Sequence, residues 1–216
     1  MYDVNNFSID EAINDDNIDA IAICTPAETH AEIAIQAMQS GKDVFVEKPL
    51  ALNEIDAIKI KDAVDKTGKK LMVGHLLQYH PAFEKVLEII NADQIGKVKK
   101  IFSERMSFGK IRKEEDVVWS FAPHDISMIN RIVQSPPTKV ICNGTNIISK
   151  DLYDEANINL LFEDKDINAQ INVSWIHPVK RHIFTVIGSK GMIVFDDTKD
   201  WDEKVFYQEF LLDFKT

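Results

Sequence analysis

The residues in this chain best suited to chemistry are a lysine and a histidine, each set beside a proline. Lys48 sits in Glu47-Lys48-Pro49, directly after the apolar run Val44-Phe45-Val46. That run has the β-branched and aromatic character of a short buried strand. Pro49 cannot donate to a ladder and ends it. A parallel strand of this kind delivers its last residues to the carboxyl edge of the sheet, where open α/β sheets bind ligands. A lysine fixed there can hold a substrate oxygen or a cofactor ribose; a surface Glu-Lys pair ahead of a turn is the alternative. His124 lies in Ala122-Pro123-His124-Asp125, with Ser120 four residues earlier. Pro123 reads as the first position of a helix over 123–133, which puts His124 in its first turn. There the positive end of the helix dipole favours a neutral imidazole, the form a general base must have. A helix-start histidine bonded to a loop carbonyl is the alternative. His75, His80, His177 and His182 have no metal-ligand spacing, and no metal site is expected.

The elements that must position these residues follow from periodicity and punctuation. Ser8 to Asp15 reads as a short helix, with Ser8 as cap and Glu11 three residues on, the capping-box spacing. Ile18 to Cys24 is a nearly continuous apolar strand, as in a parallel sheet covered on both faces. A helix over 27–40 closes at Gly41, the strand 43–46 follows, and a helix capped by Asn53 runs to Thr67 and closes at Gly68. Leu71 to Gly74 is a third strand. This β-α-β-α-β order with short links predicts right-handed crossovers and a parallel sheet.

After His75 the pattern changes. A helix is expected over 81–91, a long strand over 98–108, a polar loop over 110–116 and the helix over 123–133. Strands are expected over 139–147, 156–163, 167–176, 182–188, 191–196 and 204–207, with Glu163 to Asp166 as a hairpin connection. The fold class is therefore α/β followed by α+β: a partial Rossmann-type parallel sheet, then a domain with an open, mainly antiparallel sheet. The boundary is placed so that residues 1–76 form the first domain and 77–216 the second.

Composition narrows the partners. The 25 basic against 35 acidic residues leave a net charge of −10, which argues against a nucleic-acid or anionic membrane surface. No apolar run approaches the roughly 20 residues of a membrane span, and the first residues lack the basic and apolar regions of a signal peptide. Cys24 and Cys142 sit in apolar strand-like runs and read as reduced core thiols of a cytoplasmic protein.

Three segments, in order, resemble the Gfo/Idh/MocA family of nicotinamide-dependent sugar oxidoreductases. They are Thr25-Pro26-Ala27-Glu28-Thr29-His30, Gly41 through Leu50 with Glu47-Lys48-Pro49 at its centre, and Trp119 through Met128 around His124. Gly74-His75, Tyr79 to Phe83 and Gly188 to Met192 are lesser matches. The resemblance implies NAD or NADP as cofactor, held through Thr25, Pro26, His30, Glu47 and Lys48. It implies that Lys48 binds the reacting hydroxyl and the nicotinamide ribose, and that His124 takes the hydroxyl proton as hydride leaves. Tyr79 and Ser120 join Lys48 and His124 at the substrate in this reading. The implied substrate is a sugar or nucleotide-sugar hydroxyl, and the implied assembly is a homo-oligomer formed through the C-terminal sheet.

Two departures qualify the resemblance. Ser120 stands where family members usually carry an aspartate, and a hydroxyl cannot supply that negative charge. The G-x-G-x-x-G fingerprint is absent from the 216 residues, whose 8 glycines are scattered. The expectation is thus a truncated member lacking the N-terminal glycine-rich unit. Two further readings stand beside it: an inactive remnant serving as a binding or oligomerisation module, and a relative that runs oxidation and reduction in one cycle as an NAD-dependent glycosidase.

Overall fold

The computed structural model describes residues 6–109, 111–113, 115–148 and 150–210. The chain forms two compact units, one up to His75 and one from Leu76 onward.

In the first unit, α1 (Ile9–Asn14) starts at Ser8 with a full capping box: Glu11 N–H donates to Ser8 Oγ, and Ser8 N–H donates back to Glu11 at 2.8 Å. The strands β1 (Ala20–Ile23), β2 (Asp43–Val46) and β3 (Leu71–Val73) pair in parallel in that order. Helices α2 (His30–Gln39) and α3 (Glu54–Thr67) make the crossovers. A 3-10 turn over Ala27–Thr29 leads into α2, and α3 runs from an Asn53 cap to Gly68, whose φ of 67° ends it. Ile33, Ala34, Ala37 and Met38 of α2 bury against Ile23, Val44, Val46 and Ile60. The Lys48–Pro49 peptide is cis.

The second unit is a seven-stranded mixed sheet in the order β10-β9-β8-β4-β7-β6-β5. Its strands are β4 (Val98–Phe108), β5 (Lys139–Thr145), β6 (Glu155–Phe162), β7 (Ile167–Ser174), β8 (Ile176–Gly188), β9 (Gly191–Asp196) and β10 (Val205–Glu209). One pair, β4 with β7, is parallel; the rest are antiparallel. Helices α4 (Pro81–Asn91) and α5 (Val117–Val133) pack on one face. Phe83 of α4 meets Phe184 of β8 edge-on at 6.0 Å. The connection after β6 turns at Asp166, with φ 56°. Gly188 is where the backbone comes closest: a Cβ there would stand 2.1 Å from the Ile95 carbonyl oxygen.

Four expectations change. Helix α5 begins at Val117, not at Pro123, because Asp116 caps it by accepting from Val118 N (3.0 Å) and Trp119 N (3.1 Å). Pro123 therefore sits inside the helix and removes the bond its N–H would make to the Trp119 carbonyl. Strand β8 begins at Ile176, six residues earlier than read, since it continues along β4 as far as Phe108. Cys24 and Cys142 are exposed rather than core thiols, one just past the end of edge strand β1 and the other on edge strand β5. β1 is likewise not covered throughout: of its four residues only Ile23 is buried. In the loop read over 110–116, residues 110 and 114 lie outside the described set.

Two buried carboxylates lock the second unit. Asp125 of α5, 1% exposed, accepts from Arg105 Nε at 2.9 Å, from Arg105 Nη2 at 3.0 Å and from Ser103 Oγ at 2.7 Å. Asp154, fully buried, accepts from Trp175 Nε1 at 2.7 Å and from the backbone N–H of Ile147 and Ile148. Removing one partner of a buried pair strands a charge and costs about 3–5 kcal/mol. Asp125→Ala is therefore expected to lower the unfolding free energy by that amount, read as a lowered denaturant midpoint, while Asp65→Ala, which breaks the exposed pair with Lys61, leaves the midpoint in place. Equal midpoint shifts for the two variants would remove the Arg105–Asp125 pair from this role.

Candidate active site

The three parallel strands end in register: Ile23 faces Val46, and Val46 faces Val73. The chain therefore delivers Thr25-Pro26, Glu47-Lys48-Pro49 and Gly74-His75 to one carboxyl edge. Two backbone bonds mark the last rungs, Glu47 N–H to Ile23 O at 2.9 Å and Gly74 N–H to Val46 O at 2.8 Å. Gly74 lies close to the Glu47 side chain: a Cβ there would stand 3.0 Å from Glu47 Oε2 and 3.2 Å from Phe45 Cζ, so a larger residue would oblige those side chains to shift.

The hydroxyls at this edge are ordered by their acceptors. Thr29 Oγ1 donates to the Pro26 carbonyl at 2.8 Å, so its 2.6 Å contact with Thr25 Oγ1 is one in which Thr25 donates. The lone pairs of Thr25 Oγ1 are left to accept from elsewhere. His30, 1% exposed, places Nδ1 at 2.8 Å from Pro49 O and Nε2 at 2.8 Å from Thr25 O. His75 was not among the residues assigned a role from sequence. It stands close enough to Lys48 to feel its charge: burial, and then the Lys48 ammonium, lower its pKa and keep the imidazole neutral. Of the expected site residues, the structure thus brings Thr25, Pro26, His30, Glu47 and Lys48 together in the first unit.

Tyr79, Ser120 and His124 belong to the second unit. Ser120 and His124 are one turn apart on α5 and share a stripe of it. Ser120 is buried and His124 half-buried. His124 lies about two turns into α5, so the dipole at a helix start does not act on it as the sequence reading required. Tyr79 is 65% exposed at the end of a 3-10 turn over Leu76–Tyr79. Arg131 of α5 holds that turn through the carbonyl of Gln78 and reaches Glu84 at 3.0 Å. His80 caps α4, with Nδ1 accepting from Ala82 N at 3.1 Å. Asp125, next to His124 in sequence, faces the sheet instead and pairs with Arg105.

The two units match two family models in succession. Residues 2–75 match the oxidoreductase family's NAD-binding Rossmann domain, and residues 83–194 match the GFO/IDH/MocA C-terminal domain. The chain belongs to the Gfo/Idh/MocA oxidoreductase family. An uncharacterized oxidoreductase of Streptococcus pneumoniae is 28% identical over 203 residues, covering 88% of this chain and 55% of the relative. A myo-inositol 2-dehydrogenase of Thermotoga maritima is 26% identical over 200 residues, covering 88% of this chain and 60% of the relative. A crystal structure from Magnetospirillum magnetotacticum superimposes with a TM-score of 0.83 at 27% identity, covering 93% of this chain and 64% of that one. The chain thus spans little more than half the length of the curated relatives it matches.

The Arg105 guanidinium has a second effect. Burial first, then Arg105 and Lys180, lower the pKa of His182 to about 4, against Asp197 and Asp125, which raise it. Between the ordinary 6.5 and about 4, the unfolded chain binds a proton that the folded chain refuses. This histidine therefore costs the fold nothing above that window and destabilises it increasingly as pH falls through it. His182→Gln should flatten that part of the stability profile. Between neutral pH and about 4, the denaturant midpoint of the unsubstituted protein should fall relative to that of His182→Gln; parallel profiles would contradict the assignment.

Proposed function

We propose that this chain carries the nicotinamide end of the cofactor site and the acid-base residues of an NAD- or NADP-dependent dehydrogenase. Its substrate class is a secondary hydroxyl of a sugar, a cyclitol or a nucleotide sugar. The observation that carries the reading is Lys48 at the common carboxyl edge of the parallel strands, in a chain of this family. An inositol dehydrogenase among the relatives supports the substrate class.

The residues present suit part of the cofactor. Thr25 Oγ1 with free acceptor capacity, the Lys48 ammonium and the Glu47 carboxylate are donors and acceptors of the kind a ribose and a carboxamide need. A pyrophosphate needs glycine backbone at a helix amino end, and no G-x-G-x-x-G occurs in the 216 residues. When bound, the nicotinamide ring supplies the hydride acceptor. Lys48 holds the substrate hydroxyl oxygen and the ribose, and its positive charge favours loss of the hydroxyl proton. His124 takes that proton on an imidazole nitrogen. Ser120 supplies no negative charge to steady the imidazolium that results. The same reading assigns self-association to the sheet face opposite α4 and α5.

A second reading, a binding module without turnover, is favoured by Ser120. Two measurements separate them. His124→Asn should lower kcat by roughly 10²–10⁴ if it removes a general base, and Lys48→Ala by about 10–100-fold if it removes one charge-assisted hydrogen bond of roughly 1.5–3 kcal/mol. Ser120→Asp should raise kcat and shift its pH profile. These are read as reduced nicotinamide formed from inositols and nucleotide sugars. Turnover unchanged in both Lys48→Ala and His124→Asn would overturn the assignment. Calorimetric titration of the chain with NAD and NADP complements this: loss of two phosphate bonds of that strength weakens affinity by about 100-fold or more, so tight binding by these 216 residues would place the cofactor elsewhere.

A further inference from the structure

The buried ring of His30 has a polar partner on each side, and both partners are backbone carbonyl oxygens: Pro49 O at 2.8 Å from Nδ1 and Thr25 O at 2.8 Å from Nε2. A carbonyl oxygen only accepts, and a neutral imidazole carries one N–H. In either neutral tautomer one nitrogen would face a carbonyl oxygen lone pair to lone pair, at a separation normal for a hydrogen bond. With a hydrogen on each nitrogen, both contacts are hydrogen bonds, and both are charge-assisted.

We infer that His30 is a two-ended positioning residue whose imidazolium donates to the turn after β1 and to the turn after β2, and thereby sets where Lys48 stands. The inference rests on the dehydrogenase reading only in treating Lys48 as the reacting lysine. Its structural part is independent. The backbone ladder between the two strands ends at Glu47 N–H to Ile23 O. Beyond that rung the chains diverge into Thr25-Pro26 and Lys48-Pro49, and the His30 ring spans the gap. The ring is well placed for this, as the first residue of α2, directly beneath the turn that leads into the helix. The dipole at a helix start opposes a cation there. Glu28 and Glu32 lie in the opening turns on either side of His30, both exposed, and the two carbonyl dipoles point at the ring. Glu47 and Lys48, on the second turn, bring one further charge of each sign.

The test reads the ring directly. In the intact chain with nitrogen-15-labelled histidine, the two-bond proton–nitrogen correlation at neutral pH should show both His30 nitrogens as N–H. One pyridine-type nitrogen would overturn the inference, and would say nothing against the dehydrogenase reading. His30→Gln provides the positioning test, because both amide hydrogens sit on one nitrogen and cannot reach two carbonyls that face two different ring nitrogens. Amide shifts at Thr25 and at Glu47, Lys48 and Leu50 should move together while those of β3 hold, and acylation of Lys48 should change several-fold relative to exposed Lys61. Movement at one turn alone, or unchanged Lys48 reactivity, would defeat it. Should the glutamine variant not fold, the nitrogen spectrum of the unsubstituted chain still decides.

Discussion

The first unit depends on one constraint, the parallel register that aligns Ile23, Val46 and Val73. Because side chains alternate along a strand, a slip of one residue would turn Val44 and Val46 out of the core and bring Phe45 in. The same slip would displace Lys48 from the end of β2. Core burial and site geometry are therefore specified by the same pairing. Val46 is fully buried, and full burial of a valine is worth roughly 1.5–3 kcal/mol, so the core penalises the wrong register.

In the second unit the corresponding constraint is rotational. Asp125 is drawn to the sheet by Arg105 and Ser103, which fixes the azimuth of α5 about its axis. Successive residues on a helix are about 100° apart. With Asp125 facing β4, His124 and Ser120 are turned away from the Arg105 guanidinium, onto their own stripe. Pro123 lies between these two orientations and weakens the helix by one hydrogen bond at that point. The Arg105–Asp125 pair holds α5 in place on the carboxyl-terminal side of that gap, and the Asp116 cap holds it on the other.

Most of the fold was legible because it rests on local rules. The capping box at Ser8, the cap at Asn53 with Gly68 closing the helix, and the strand 43–46 ending before Glu47 all use residues within a few positions of each other. The start of α5 was misread for a physical reason: proline suits a first turn so well that it outweighed Asp116, whose side chain caps the helix seven residues earlier. The buried carboxylates were not legible at all. Asp125 meets partners 20 and 22 residues away, and Asp154 meets Trp175 at a separation of 21, so nothing near either residue marks it as buried. The exposure of Cys24 and Cys142 was hidden likewise, because an edge strand and a central strand share the same apolar composition. At the candidate site, the position of Lys48 just past the end of β2 was legible from its strand and proline; the approach of His75 to Lys48 depends on the neighbouring strand and was not.

Folding and phosphate binding are separable in this chain. Each unit closes a hydrophobic core from its own residues, the first around Ile23, Ala34, Val46 and Ile60, the second around Phe83, Ile101, Ile171 and Trp175. None of these side chains is a phosphate ligand. The residues proposed for the nicotinamide end are held by bonds within the first unit: Thr25 by Thr29, the two turns by His30, and Glu47 by its rung to Ile23. A pyrophosphate cradle would add affinity for the cofactor without being needed to shape this edge. The turns on either side of Lys48 are thus held by bonds within the first unit, the preorganisation that the role proposed for Lys48 would need.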